Sequence, residues 1–137
     1  MTSLFRQLAL TALVAFQALA STPASADTAD DVIGLEREAY AGRCSDMGFA
    51  EDFLWIGDLN NDKREDALAQ GGLVTCDGKP GPDCNALGCM MRVYLKTRDG
   101  GYRIGAEVRA RAVTVAWRYG IRIIVFDIAG DQCGRAT

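Results

Sequence analysis

The stretch MMRVYLKTRDGGYRIGAEV, residues 90–108, decides the fold class of this chain. Apolar and polar side chains alternate along residues 90–97, which is typical of a strand with two different faces. The triplet DGG at 99–101 supplies residues that tolerate a positive φ, as the tight turn of a twisted hairpin requires. Residues 102–108 then return antiparallel to the first strand. The stretch therefore predicts a β-hairpin within an antiparallel sheet.

Further strands are predicted on both sides of this hairpin. They lie at 53–56, at 67–75 with an interruption at Gly71 and Gly72, and at 112–118 and 121–128 with a turn at Tyr119 and Gly120. Short strands separated by turn residues indicate an antiparallel meander of about five or six strands. The predicted fold class is α+β, with an N-terminal helix packed on a single antiparallel β-sheet.

The helix is predicted over residues 30–44, and Thr28 or Asp30 provides an N-terminal cap. Its apolar stripe consists of Val32, Leu35 and Ala39, with Gly42 as a further member. The charged run 36–38, Glu-Arg-Glu, is predicted to face water.

Residues 1–26 are typical of a signal peptide. A lone charge at Arg6 precedes an apolar run over 8–20, and the small residues 24–26 form an A-x-A cleavage site. The run is shorter than the roughly 20 residues that span a bilayer, so no stable membrane anchor is expected. Cleavage leaves residues 27–137 as a single domain, and we expect a periplasmic or secreted location.

The chain contains five cysteines and no histidine. The lack of histidine excludes Ser/His/Asp and Cys/His catalytic units and disfavours a zinc site. Because export exposes cysteines to an oxidising compartment, disulfides are the expected state. An odd number leaves at least one cysteine without a partner in the chain, and the sequence does not determine the pairing.

Charge is divided unevenly along the mature chain, with a net −9 over residues 27–84 and +5 over 85–137. A basic sheet face is predicted from the arginines of the last strands, namely Arg103, Arg109, Arg111, Arg118 and Arg122. One interpretation of such a face is an inhibitor or immunity-like protein that uses it to bind an unknown partner in the cell envelope. The alternative is that acidic and basic segments pair within the fold. Nucleic acid is not expected as a partner, because the arginines are not interleaved with aromatic residues.

The segment GDLNNDKRED, residues 57–66, contains the sharpest candidate site. Side-chain oxygens recur at positions 1, 3, 5 and 9 from Asp58, and position 7 offers a main-chain carbonyl. The predicted ligands are Asp58, Asn60, Asp62, Arg64 through its carbonyl, and Asp66. Such a loop converges oxygens on a hard cation and predicts Ca²⁺ as the cofactor. The alternative is a polar turn in which Asp58 or Asn60 caps backbone amides.

Two positions depart from the EF-hand loop. Lys63 occupies position 6, where a sharp turn normally takes glycine, and Ala69 occupies position 12, where that loop has a bidentate Glu.

The segment resembles the D-x-N-x-D-G-x-x-D loop of FG-GAP-type β-hairpins, since FLWIG precedes DLNNDKRED and ALAQGG follows it. The wider chain resembles small exported proteobacterial proteins of unassigned activity. The resemblance implies a calcium-supported hairpin. It also implies that the disulfide cysteines are Cys76, Cys84, Cys89 and Cys133, which leaves Cys44 as the candidate free thiol.

Together these observations predict an exported binding or structural module with a candidate calcium-stabilised loop and no catalytic activity. The alternative from another class is a small hydrolase that uses Asp58 and Asp62 as paired carboxylates.

Overall fold

The computed structural model describes residues 24–130. They contain one α-helix, ten strands and a 3₁₀ turn, joined by loops. In chain order the elements are α1 (Ala24–Ala39), β1 (Met47–Phe49), β2 (Leu54–Gly57), β3 (Asp66–Gln70), a 3₁₀ turn (Gly71–Leu73), β4 (Val74–Cys76), β5 (Lys79–Pro80), β6 (Cys84–Asn85), β7 (Gly88–Lys96), β8 (Tyr102–Ala110), β9 (Ala112–Arg118) and β10 (Ile121–Asp127). The predicted α+β class is confirmed. No helix within these residues is long and apolar enough to cross a membrane.

The strands form three antiparallel sheets, so the prediction of a single sheet is wrong. The largest has the order β2-β3-β7-β6, with β8 also paired to β7; β1, β4 and β5 form the second, and β9 and β10 form the third. The division begins at Gly71, where the 3₁₀ turn ends β3 and directs β4 into the second sheet. An ideal Cβ at Gly71 would lie 2.5 Å from the carbonyl oxygen of Met90, so this close approach requires glycine.

Strand β7 is buried on both faces, because α1 covers one face of the largest sheet and the β9–β10 hairpin covers the other. Tyr94 packs with Val32 of the helix in one apolar cluster. Its neighbour Val93 packs with Leu68 in a second cluster, against which Phe126 of the hairpin lies. The predicted alternation of β7 is therefore confirmed, and each face contributes to a separate core.

Helix α1 begins and ends earlier than the predicted range of 30–44. The chain turns over residues 40–43, where Gly42 adopts a φ of 83°, a left-handed conformation that commonly terminates helices. The predicted cleavage point after Ala26 falls in the first turn of α1, and residues 1–23 of the predicted signal peptide lie outside the described residues.

The buried face of α1 also differs from the prediction. Val32 and Glu36 of α1 and Tyr40, which directly follows it, are fully buried, whereas Ala39 of the predicted stripe is exposed. Residues four positions apart share a helix face, so these three form one continuous buried row. The prediction that Glu36 faces water is wrong, because a charged group and a hydroxyl of β7 donate hydrogen bonds to its buried carboxylate.

Two disulfides join the described cysteines, and the prediction that Cys44 is the free thiol is wrong. Cys44 is bonded to Cys76 and Cys84 is bonded to Cys89. The first bond forms because β1 pairs with β4 and brings Cys76 beside the end of the helical turn. The second joins residues that face each other in the β6–β7 ladder. Participation of Cys76, Cys84 and Cys89 in disulfides is confirmed, and Cys133 lies outside the described residues.

The turn between β9 and β10 yields a stability prediction. Tyr119 and Gly120 form its two-residue loop with φ values of 52° and 78°, and a side chain such as tyrosine is strained there. We expect Tyr119→Asn to raise the free energy of unfolding by about 0.5 to 1 kcal/mol, because Asn-Gly suits this turn. Tyr119→Ala is the control, since it removes the ring and keeps the strain. Equal stabilities of the two variants in urea titrations would contradict the explanation.

Candidate metal centre

The candidate site is the loop that joins β2 to β3. Its base is fixed by the antiparallel pairing of Gly57 with Asp66. Three carboxylates converge within it: ligand oxygens of Asp58, Asp62 and Asp66 all lie within 4.8 Å of one another. Of the five predicted ligands, these three are therefore confirmed as neighbours, and the group could hold a metal ion.

The turn that brings the carboxylates together contains two residues in the left-handed conformation, Asn61 with φ of 61° and Lys63 with φ of 65°. Asparagine tolerates this conformation better than most residues. Lys63 occupies the position at which calcium loops normally have glycine, and it adopts the backbone conformation that glycine would supply. Compared with glycine, Lys63 therefore adds a positive charge and backbone strain at this position, and the chain still makes the sharp turn.

Asp58 organises the turn through backbone hydrogen bonds. Its Oδ1 accepts from the amide of Asp62 at 3.1 Å, and its Oδ2 accepts from the amide of Lys63 at 2.8 Å. The alternative of a polar turn capped by Asp58 is thus present in the structure. The two interpretations are compatible, because a carboxylate oxygen that accepts one hydrogen bond retains a second lone pair for a cation.

Asp66 ties the loop to the sheet and is fully buried. Its Oδ2 accepts from the amide of Leu59 at 2.8 Å, and its Oδ1 accepts from the amide of Lys96 at 2.8 Å. Both oxygens of a buried carboxylate are thereby satisfied by backbone donors. Asp66 consequently has a structural role in addition to its place in the carboxylate group.

Arg64 partly neutralises the cluster through its side chain. Its guanidinium lies 2.6 Å from Oδ2 of Asp62 and donates through Nε to the carbonyl of Lys96 at 3.1 Å. Partial burial opposes ionisation of Asp62, but hydrogen bonds from the Arg64 amide and from Asn60, together with the charge of Arg64, lower the pKa of Asp62. An incoming cation would therefore compete with Arg64 for an ionised carboxylate.

Asn60 contacts Asp62 rather than forming a separate corner of the site. Its side-chain amide donates to Oδ2 of Asp62 at 3.0 Å, and its Oδ1 accepts from the Asp62 amide at 3.2 Å. The Asn60 oxygen is therefore held within the same turn as the three carboxylates.

A second polar cluster, which the sequence interpretation missed, connects α1 to β7. Nη1 of Arg92 donates to both oxygens of Glu36 at 3.3 and 3.1 Å, and the hydroxyl of Tyr94 donates to Oε1 of Glu36 at 2.5 Å. Burial raises the pKa of Tyr94, and the carboxylate of Glu36 raises it further, so Tyr94 remains a neutral donor. The four-residue spacing of Val32, Glu36 and Tyr40 was the signal that could have placed Glu36 in the interior.

Asp83 extends this cluster towards the surface. It accepts from Nη2 of Arg92 at 3.3 Å and pairs with Nη1 of Arg43 at 2.8 Å, while Nε of Arg92 donates to Glu107 at 3.0 Å. Hydrogen bonding to Arg43 lowers the pKa of Asp83 to about 2, against the opposing effect of partial burial. Each acid in this cluster is occupied by a cation or a hydroxyl, which suits an internal clamp between helix and sheet.

The five arginines of the predicted basic face are not gathered on one surface. Arg109 donates to the carbonyls of Asp83 and Gly88 at 2.6 and 3.2 Å. Arg118 and Arg122 occupy different rows of the β9–β10 ladder, and side chains of successive rows point to opposite faces. The remaining two, Arg103 and Arg111, are exposed.

Comparison with known proteins adds no relative to this picture: no family model, no curated protein and no solved structure matches the chain.

Proposed function

We propose that this protein is an exported binding or structural module whose β2–β3 loop binds Ca²⁺. The observation that carries the proposal is the convergence of Asp58, Asp62 and Asp66 within 4.8 Å on a loop with a left-handed turn at Lys63. Two disulfides support a location outside the reducing cytoplasm, which we assign to the periplasm or the extracellular medium.

The ligand chemistry favours calcium over softer metals. Every side chain of the group offers carboxylate oxygen, which hard cations prefer. The chain has no histidine, and the described cysteines are bonded to one another. Because Lys63 and Arg64 offset part of the acidic charge, we expect a dissociation constant of roughly 10⁻⁴ to 10⁻³ M, as in extracellular modules.

Calcium in this loop would have a structural effect. Asp66 connects the site to the amide of Lys96 in β7, so a cation held by the three carboxylates would fasten the loop to the largest sheet. The lowered pKa of Asp62 keeps this carboxylate ionised, which is the form that binds a cation. We therefore assign Asp58 and Asp62 to cation binding.

Calcium titration tests the proposal. At 10 mM Ca²⁺ a site with a dissociation constant near 1 mM stabilises the native state by about 1.4 kcal/mol, which corresponds to a rise in Tm of about 5 to 10 °C. We expect Asp58→Asn and Asp62→Asn to remove most of this shift. Differential scanning calorimetry of the disulfide-intact protein, with Mg²⁺ in parallel, provides the measurement.

Asp99→Asn is the matched control. Asp99 is also an exposed turn acid that accepts a backbone amide, from Gly101 at 3.2 Å, but it lies in the β7–β8 turn outside the loop. The control should retain the full calcium shift. An unchanged Tm in calcium, or an equal shift in the wild type and in Asp62→Asn, would rule out the site.

Lys63 supplies a prediction in the opposite direction. Lys63→Gly should raise the free energy of unfolding by about 0.5 to 1 kcal/mol, because glycine adopts the left-handed conformation without steric strain. It should also tighten calcium binding by about five-fold, since it removes a positive charge near a divalent ion. Lys63→Ala separates the two effects, because it removes the charge and keeps the strain. Calorimetry should show tighter calcium binding in both variants but added stability only in Lys63→Gly. Unchanged calcium affinity in both variants, or equal added stability in both, would refute this explanation.

A further inference from the structure

The end of the β9–β10 hairpin, residues 117–122, exposes large apolar side chains; we call this segment the hairpin tip. Tyr119 is 92% exposed, Trp117 is 63% exposed and Ile121 is 52% exposed. A single exposed apolar residue is ordinary, whereas three occur together in this six-residue segment. Trp117 and Ile121 belong to successive rows of the ladder and lie on opposite faces of the tip, with Tyr119 at its end. The tip therefore presents an apolar surface that the described part of the fold does not cover.

Tyr119 is held at the tip despite its backbone strain. Its φ of 52° belongs to a turn position that asparagine or glycine would occupy at lower cost. Its ring contacts the guanidinium of Arg118, with 5.6 Å between the guanidinium carbon and the ring centroid. A strained residue that contributes an almost fully exposed ring is more readily explained by contact with something outside the chain than by folding.

The tip is also positively charged. Residues 117–122 include two arginines, Arg118 and Arg122, and no acidic residue. Arg118 and Arg122 form no ion pair with any described residue. Arg122 lies between Trp55 and Trp117, with its guanidinium carbon 4.8 and 4.5 Å from the two ring centroids. Its buried Nε has no hydrogen-bond acceptor within the described structure.

We propose that the hairpin tip docks on the surface of an anionic lipid bilayer. A two-residue turn at the end of a two-stranded ribbon is convex, and small-molecule sites are concave. Tryptophan and tyrosine rings favour the interface between headgroups and acyl chains. Arginines beside them are complementary to lipid phosphates, and each basic residue adds to the affinity for an anionic leaflet. Aromatic, apolar and basic groups therefore occur together in the arrangement that shallow insertion requires.

The candidate metal loop lies at the same end of the molecule. An ideal Cβ at Gly57, which directly precedes Asp58, would lie 3.2 Å from Nη1 of Arg122. Without a cation the acids of the loop oppose approach to an anionic surface. Binding that is measured without calcium therefore comes from the tip, against the repulsion of these acids. We test it in EGTA, so that failure of the calcium proposal and failure of membrane docking are separate results.

The experiment measures partition of the full, disulfide-intact chain onto vesicles of phosphatidylcholine, with and without phosphatidylglycerol, by sedimentation. Tryptophan emission should shift to shorter wavelength only with the anionic vesicles. We expect Arg118→Gln to weaken partition about five-fold. Tyr119→Asn combined with Ile121→Ser should weaken it about ten-fold. Tyr119→Asn is also measured alone; it is expected to fold more stably than the wild type, so a loss of binding in this single variant is not a loss of structure.

Matched controls come from strand β8, which does not belong to the hairpin tip. Ile104 is 53% exposed, close to the value for Ile121, and Arg103 is likewise exposed. Ile104→Ser and Arg103→Gln should bind as the wild type does. Equal partition onto neutral and anionic vesicles, no partition at all, or tip variants that bind like the wild type would each overturn the proposal. Protease-sensitive capture by native envelope membranes without binding to pure lipid would identify a protein partner and overturn it as well.

Discussion

Replacing Arg92 by leucine should lower the free energy of unfolding by about 3 to 5 kcal/mol. The guanidinium of Arg92 is 11% exposed and neutralises Glu36, whose side chain is 1% exposed. Without it, the hydroxyl of Tyr94 remains as the one neutral donor to this carboxylate among the contacts described above. A buried charge that loses its partner retains its full desolvation cost, which makes the single substitution severe.

The double variant Glu36→Leu with Arg92→Leu removes both charges, whereas each single variant leaves one charge without this partner. Two leucines leave no buried charge at this position, so we expect the double variant to recover most of the lost stability. Glu36→Leu alone leaves Arg92 in contact with Asp83 and Glu107, and its cost should be smaller than that of Arg92→Leu. The comparison therefore measures coupling between helix α1 and strand β7.

Urea unfolding of the disulfide-intact protein provides the measurement, with Arg103→Leu as the matched control. Arg103 belongs to the neighbouring strand β8 and is exposed, so its replacement should change stability by less than about 0.5 kcal/mol. A loss below about 1 kcal/mol for Arg92→Leu, or a double variant less stable than either single variant, would show that this cluster is not the clamp described here.

The same cluster illustrates which features of the fold can be predicted from sequence. Both long hairpins were predictable, because their turn residues and alternating strands are adjacent in the chain. Glu36 and Arg92 are 56 residues apart, and no local pattern identifies one as the partner of the other. The division into three sheets depends on a similar long-range fact, the approach of Gly71 to the carbonyl of Met90. Local chemistry thus predicts the elements, and long-range packing determines their arrangement.

The candidate site shows the same division. The spacing of Asp58, Asp62 and Asp66 predicts their convergence, because all three belong to one short loop. The sequence does not reveal that Arg64 donates to the carbonyl of Lys96, or that Asp66 accepts from the amide of that residue, since Lys96 belongs to a distant strand. These contacts determine how much of the carboxylate group's charge is available to a cation.

Removing the Cys44–Cys76 disulfide should destabilise the protein more than removing the Cys84–Cys89 disulfide. The two bonds close chain segments with sequence separations of 32 and 5 residues. Loop-closure entropy then gives about 4 kcal/mol for the first bond and about 2 kcal/mol for the second. The first bond fastens the end of the helical segment to β4, whereas the second joins strands that already pair in the β6–β7 hairpin.

The paired variants Cys44→Ser with Cys76→Ser and Cys84→Ser with Cys89→Ser test this difference in guanidinium titrations. Both are prepared with Cys133→Ser, so that the fifth cysteine cannot exchange with the remaining bond. The bond that constrains the longer segment should show the larger loss, and the slope of the transition should also rise as the unfolded chain expands. Equal losses, or a larger loss for Cys84–Cys89, would mean that strain or contacts in the native state outweigh chain entropy at these two bonds.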